Sequence, residues 1–405
     1  MADEQRSLIQ KLLQSESQAF IHGNAGSDPA SLMLKFAQRT DIPVAECVDQ
    51  IRSRAKAKLK LPTLWGNPDV LFPKPLSVEQ SSSEITSTYK SSLFSGKRFL
   101  DLTGGFGVDA IGFARQFEVV DVVERNSWLC ELMRHNAHQL GLNHIKVHQT
   151  EAEEFLKRAS GEYDLIFIDP ARRSESGAKV FRFEDCSPNI IELRERLLEI
   201  APRVLVKASP MVDIAMAMKE LEYVHKVWVV GTGNEVKEVL FELRRDATTD
   251  QYITPVELND VGCPVLDIPG TTLHEEKSAS PDFGEPETFL YEPWRVVLKA
   301  GFFKWLSPTL GLKKLHPHSH LYTSKKMVRE FPGLIHKIEA RSGAGKKELK
   351  ALVPGGKANI KVRNYPATVA EIRKKTGIKD GGDLFLFFTT VVDGSTGGIL
   401  TRKVS

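Results

Sequence analysis

Residues 99–109 read FLDLTGGFGVD: an apolar run that ends in Asp101 and then breaks into Thr103, Gly104, Gly105 and Gly107. A short apolar run bounded by glycines is a strand signal, and a helix is expected from Val108. Glycines at a strand-to-helix turn let a ligand approach the backbone closely. The helix N-terminus adds free N–H groups and a positive dipole. The next apolar run, 119–123, ends in Glu124. A carboxylate at that strand tip, about 20 residues past the glycine turn, is placed to accept ribose hydroxyls. The pattern predicts a nucleoside-cofactor site at the carboxyl ends of parallel strands. Each acidic residue also has a plainer reading, Asp101 as a turn cap and Glu124 as an exposed carboxylate.

Outward from this stretch, strand and helix signals alternate between Arg98 and Asp246. Further apolar runs lie at 165–168, 204–206, 227–230 and 239–243, separated by amphipathic stretches such as 127–140, 187–199 and 211–221. That alternation means a mostly parallel sheet with helices on both faces. The last two strands are separated only by GTGNEVKE, which suits a hairpin and one antiparallel strand. Three strand ends carry further candidates. Glu151 follows the third strand, where it fits an adenine-side acid and an ordinary N-cap equally. Asp169-Pro170-Ala171-Arg172-Arg173 closes the fourth, and Lys207 ends the fifth. Asn234 and Glu235 sit in the hairpin. Lys207, Asn234, Glu235, Arg172 and Arg173 are read as substrate-side residues, the two arginines alternatively as structural ion pairs.

Residues 1–75 read as helical. Asp28-Pro29 is an N-cap followed by proline, and Ile42-Pro43 opens a helix to about Lys60. Arg52, Lys56 and Lys60 share one face of it, either a phosphate contact or a solvated stripe. Trp65 to Pro75 reads as a linker or packed loop. Ser77/Gln80 and Ser81/Glu84 both have capping-box spacing, so a helix starts there, carrying Gln80, Ser82, Glu84 and Tyr89. Residues 247–285 have a linker composition. A small unit is expected over 286–324 and a last α+β domain over 325–405, in which Thr368-x-x-Glu371 opens a helix that Gly377 stops.

At 405 residues the chain exceeds one ordinary domain. Its 41% hydrophobic and 26% charged residues exclude a disordered chain. The longest apolar stretch, Leu384 to Val392, is half a bilayer span. With no signal-peptide pattern and four scattered cysteines, the expectation is a reduced, cytoplasmic protein. The net charge of +3 is unevenly spread. Residues 301–405 hold 20 Lys+Arg against 7 Asp+Glu, a surplus of 13, so the preceding 300 carry −10. A basic tail on an acidic body points to a polyanionic partner, usually nucleic acid, or to a solvated basic face. His316, His318 and His320 alternate, but no further ligand cluster accompanies them, so no metal is expected.

The glycines alone do not choose a cofactor, because Gly105-x-Gly107-x-x-Ala110 also fits the dinucleotide fingerprint. Asp101 does: at the strand end it attracts an ammonium and repels a pyrophosphate. With Glu124, Glu151 and Asp169-Pro170, the sequence from Ser77 to Asp246 resembles the class I S-adenosylmethionine-dependent methyltransferases. The resemblance implies a Rossmann-like α/β fold, mostly parallel with one antiparallel strand. It places Asp101, Thr103, Gly104, Gly105 and Gly107 at the methionine end, Glu124 at the ribose and Glu151 at the adenine amine. Asp169 and Pro170 take the catalytic, methyl-acceptor position. The fourth-strand turn is similar to that of trimethylguanosine synthase-like and other nucleic-acid methyltransferases, whose Asx- or Ser-Pro-Pro is followed by an aromatic. Here Ala171 and Arg172 stand instead.

The stretch LVPGGKANIKVRNYPATVAEIRKKTGIKDGGDLFLFFTT looks like the THUMP-like domain of a bacterial methyltransferase family. YEPWRVVLKAGFF through HPHSHLYTS is similar to the ferredoxin-like unit that precedes that domain. This resemblance implies RNA, tRNA or rRNA, as partner. Lys346, Lys347, Lys350, Lys357, Lys361, Arg363, Arg373, Lys374 and Lys375 are the candidate phosphate contacts. No cysteine lies at 169–173 or 206–210, and Cys186 is read as lying in a loop away from the site. Nitrogen or oxygen methylation is therefore expected over pyrimidine C5. The alternatives are an RNA-binding protein that keeps a cofactor pocket without transfer, and a methyltransferase of a small molecule or protein.

Overall fold

The computed structural model describes residues 2–172, 182–247, 251–266, 268, 270–343, 345–353 and 355–404. They fall into two compact units. One comprises Met1–Val227, Lys237–Thr249 and Leu258–Cys263; the other comprises Trp228–Val236, Asp250–Glu257 and Pro264–Ser405. No helix among the described residues is long and apolar enough to cross a membrane.

The first unit opens with five helices: α1 (Ala2–Leu13), α2 (Ser15–Gly23), α3 (Pro29–Lys35), α4 (Val44–Lys60) and α5 (Pro62–Gly66). Asp28 caps α3 as the sequence predicts, accepting from the Ser31 N–H at 2.8 Å. On α4, Cys47, Val48, Ile51 and Ala57 are buried, and they join Phe72, Phe106, Val108 and Leu132 in one core. Each fully buried large apolar side chain there contributes about 1.5–3 kcal/mol. The basic stripe of α4 is not free. Lys56 pairs with Glu79, and the Lys60 ammonium donates to the Val78 carbonyl at 2.9 Å. Residues 70–72 form a buried loop, with Phe72 N–H bonded to Gln50 and Leu71 N–H to Asn136.

Two helices follow where one was expected, α6 (Pro75–Gln80) and α7 (Glu84–Ser92). Pro75 starts α6 ahead of Ser77. The cap of α7 is Ser83, which accepts from Thr86 N–H at 3.2 Å. Ser81 instead donates to the Val78 carbonyl, and the Glu84 carboxylate accepts from Thr63 N–H. Three serines in a row leave the register of the cap ambiguous in the sequence.

The sheet strands are β1 (Gly96–Asp101), β2 (Phe117–Glu124), β3 (Ile145–Gln149), β4 (Leu165–Ile168), β5 (Val204–Ala208), β6 (Val224–Thr232) and β7 (Glu235–Leu243). Their order is β6-β7-β5-β4-β1-β2-β3. β1 to β5 run parallel, and β7 is antiparallel to β5. Crossovers are α8 (Val108–Phe113), α9 (Ser127–Gln139), α10 (Ala152–Arg158), α11 (Ile190–Ile200) and α12 (Ile214–Leu221). β4 reads as an unbroken buried apolar run because helices cover both sheet faces. The chain winds from β1 toward β3 and then back through β4 to β7. The switch point, where ligands bind in such sheets, therefore lies between β1 and β4.

In the second unit the stretch expected to be a linker holds a strand, Tyr252–Leu258, and a helix, Leu273–Ser278, with a Thr272/Glu275 capping box. Pro255 hid the strand. It is tolerated because the outer partner pairs only at Tyr252 and Ile253. The expected boundary near residue 325 is bridged by a shared sheet. Strand Gly333–Gly343 is antiparallel to Phe289–Pro293 on one side and to Thr396–Lys403 on the other. Leu384–Thr390 and Asn359–Arg363 continue it. The Thr368/Glu371 capping box and the Gly377 stop are as predicted. Buried Glu292 pairs with Lys361 and, at 2.8 Å, with Arg363. Those two cations are therefore structural partners within the sheet.

Candidate active site

A cavity of about 420 Å³ opens at the carboxyl ends of β1 to β4. Asp101, Thr103 and the Gly104–Gly107 turn form its floor, with Glu124 from β2, Glu151 after β3 and Asp169 after β4 around it. Ser77, Gln80 and Ser82 of the α6–α7 segment also line it. The carboxylates thus share one hollow.

Asp101 is 1% exposed and accepts from Thr103 N–H at 2.9 Å. Burial pushes its carboxyl up to about 8. The Thr103 hydrogen bond works against this, and Asp109, Asp169 and Glu124 reinforce it. Glu124 ties the glycine turn to β2, its two oxygens accepting from Gly105 N–H at 2.8 Å and Asn126 N–H at 2.7 Å. Gly105 sits at φ +53° and Gly107 at φ +89°, backbone that favours glycine. Gly104 is required by packing, since a Cβ there would lie 2.4 Å from Val122 Cγ1. Glu151 stands at the N-cap of α10 without capping it, 4.0 Å from the Arg125 guanidinium.

Asp169 is held on two sides. Its N–H donates to the Thr103 hydroxyl at 2.7 Å, and its carboxylate pairs with Lys207. The Lys207 side chain is 13% exposed. Burial would lower its pKa, but Asp169, Asp109 and Glu238 together raise it above the ordinary lysine range.

The crystal structure of a "putative methyltransferase" from Porphyromonas gingivalis W83 is 32% identical and superposes with a TM-score of 0.84, covering 97% of this chain and 99% of that one. The chain belongs to this methyltransferase family. Family models match a conserved hypothetical protein 95 segment over residues 70–190, a ferredoxin-like domain over 289–332 and a THUMP domain-like segment over 333–403. A curated relative, the probable cobalt-precorrin-6B C(15)-methyltransferase (decarboxylating) of Sulfurisphaera tokodaii, is 30% identical over 117 residues, 28% of this chain. The match spans 61% of that relative's length.

Of the other residues singled out in this methyltransferase sequence, Pro170, Lys207, Asn234 and Glu235 fall outside the cavity lining. Pro170 is buried, while its neighbours Asp169 and Ala171 line the cavity. Arg172 belongs to a two-residue strand, Ala171–Arg172, paired with Cys186–Ser187; Arg173 lies outside the described residues. Cys186 is therefore not remote from the fourth-strand turn, as its place in the sequence suggested. Its thiol is buried and donates to the Arg182 carbonyl. Asn234 and Glu235 lie at the β6–β7 turn in the second unit. There the Asn234 side chain accepts from Arg295 N–H at 2.8 Å, and its φ of +59° marks it as a turn residue. Among the described residues no group of three or more His, Cys, Asp and Glu side chains is arranged to hold a metal ion.

Three charged residues have no signal of their own in the sequence pattern: Lys90, Asp109 and Glu238. Lys90 on α7 is fully buried and donates to both Glu238 oxygens, at 2.9 and 2.8 Å. It also lies 3.1 Å from Asp109 and donates to Ser82 at 3.0 Å. Ser82 in turn donates to Asp109 at 2.7 Å. The one available hint is helical spacing, which puts Lys90 on the same face as Thr86 and Ser87, both buried.

Proposed function

We propose that the protein transfers a methyl group from S-adenosylmethionine to a nitrogen or oxygen atom of structured RNA. The observation that carries the cofactor is Asp101, a buried carboxyl with three more carboxylates near it and one backbone donor. Such a hollow suits a ligand with an ammonium and a sulfonium, and disfavours a dinucleotide pyrophosphate. S-adenosylmethionine, when bound, supplies an electrophilic methyl group. Asp101 would accept the ammonium. Glu124, whose oxygens each keep a lone pair beyond their backbone bonds, would accept ribose hydroxyls. Glu151 would meet the adenine amine. Asp169 would accept an N–H or O–H of the incoming acceptor and so orient its lone pair.

For the acceptor, support comes from the THUMP domain-like match and the basic C-terminal third. Lys357, Lys374, Lys375 and Lys379 are exposed there and available to phosphate. The buried thiol of Cys186 is consistent with transfer to nitrogen or oxygen and not to pyrimidine C5. The test is radiolabelled methyl transfer to total RNA from cells lacking the protein. Absence of label with active, cofactor-binding protein would refute the RNA acceptor. The named substrate of the curated relative favours a second reading, a small-molecule acceptor. On that reading, alanine at the exposed lysines leaves transfer unchanged.

A further inference from the structure

Asp169 has its second carboxylate oxygen committed before any acceptor arrives. Lys207 pairs with that oxygen, yet Lys207 is absent from the cavity lining that includes Asp169. The lysine reaches the carboxylate from behind the wall. It has little freedom to swing away, being 13% exposed and attracted also by Asp109 and Glu238. Those two carboxylates are themselves fixed by Lys90, a fully buried cation. Lys90 with Asp109 and Glu238 forms one ion cluster, Lys207 with Asp169 forms a pair, and the two are linked by the attraction of Asp109 and Glu238 for Lys207. A buried ion cluster such as that of Lys90 is weak evidence for stability, because desolvation offsets most of the attraction. It does fix geometry.

We infer that Lys207 is a positioning residue for methyl transfer: it clamps Asp169 by one oxygen so that the other alone meets the acceptor. This rests on the RNA methyltransferase reading proposed above and replaces the expectation that Lys207 touches substrate. In the oriented complex the acceptor nitrogen or oxygen forms its bond to the methyl carbon as the carbon–sulfur bond breaks. The electron pair passes to sulfur, and the acceptor's surplus proton leaves to water. Asp169 need only keep the acceptor's hydrogen, and hence its lone pair, in line.

The test uses full-length Lys207→Met, Lys207→Gln and Lys207→Arg proteins. S-adenosylhomocysteine affinity is read by calorimetry, and kcat and KM are read with total RNA from cells lacking the protein. The clamp predicts unchanged S-adenosylhomocysteine affinity and RNA KM in all three. It predicts kcat lowered about 100-fold in Lys207→Met and Lys207→Gln, the scale of a small misplacement at a reacting centre. Lys207→Arg, which keeps the charge, recovers most of that activity. Should Lys207→Met fail to fold, Lys207→Gln carries the comparison. Wild-type kcat in the neutral variants, or a parallel fall in S-adenosylhomocysteine affinity, overturns the clamp alone. Wild-type protein that binds S-adenosylhomocysteine but labels no RNA overturns the RNA reading, and the clamp with it.

Discussion

The hydroxyl of Thr103 accepts the backbone N–H of Asp169 at 2.7 Å, and the N–H of Thr103 donates to Asp101 at 2.9 Å. One residue therefore ties the end of β1 to the turn that leaves β4, across the switch point of the sheet. Thr103→Val removes the first bond and keeps the second, which is backbone. The expected outcome is a kcat reduced by tenfold or more, roughly the cost of removing one hydrogen bond to a buried group. S-adenosylhomocysteine affinity measured by calorimetry stays near wild type, and Thr103→Ser restores turnover.

The burial of Asp101 gives a pH dependence with a definite sign. Its carboxyl is pushed up to about 8 in the folded chain from an ordinary 3.8. Between those values the folded state holds a proton that the unfolded state has released, so stability falls as pH rises. Melting temperatures recorded from pH 5 to 9 without ligand should therefore fall less steeply for Asp101→Asn than for wild type. Binding of a cationic ligand runs the other way, since it needs the ionised carboxylate. Affinity should rise with pH toward about 8 and then level.

The glycines of the turn serve different ends, and single alanines separate them. Gly104→Ala drives a methyl group against Val122, itself fully buried, and is expected to cost about 3 kcal/mol in chemical denaturation. Gly105→Ala meets no clash, its nearest neighbour being the Thr103 carbonyl at 3.8 Å. It carries only the left-handed backbone penalty, about 1 kcal/mol.

Much of this is legible in the sequence, because β1, β2, β4 and β5 each carry a short buried apolar run bounded by glycine, acid or lysine, whereas β3 (IKVHQ) carries none. Asp101, Glu124 and Asp169 announce themselves by ending such runs, and they do line one cavity. What stays hidden depends on long-range packing. Lys90 carries no signal in the sequence, because its partner Glu238 lies 148 residues away. Lys361 and Arg363 read as phosphate contacts because nothing local reveals Glu292. The strand at Tyr252–Leu258 is obscured by Pro255 and a polar neighbourhood. The turn at Asn234 lies close to the right strand ends in sequence terms, yet its side chain serves the second unit's own backbone.

The pairing of Glu292 divides the basic C-terminal residues into two experimental classes. Lys361→Ala should lower thermal stability, by about 1–2 kcal/mol for the removal of a charged hydrogen bond, with RNA affinity largely kept. Alanine at Lys357, Lys374, Lys375 and Lys379 should leave stability alone and weaken RNA binding. Across a salt titration, the slope of log affinity against log salt should flatten by roughly 0.7–0.9 for each lysine that meets a phosphate. Deleting residues 325–405 is a poorer probe, because strand Gly333–Gly343 also pairs with Phe289–Pro293.

The most direct measurement is a calorimetric titration of the full-length protein with S-adenosylmethionine and, separately, with NAD. Saturable binding of S-adenosylmethionine, none of NAD, and marked weakening in Asp101→Ala and Glu124→Ala are the predicted results. Binding of NAD in preference, or S-adenosylmethionine affinity indifferent to both substitutions, would contradict the assignment of this acidic cavity to a cationic adenosyl ligand.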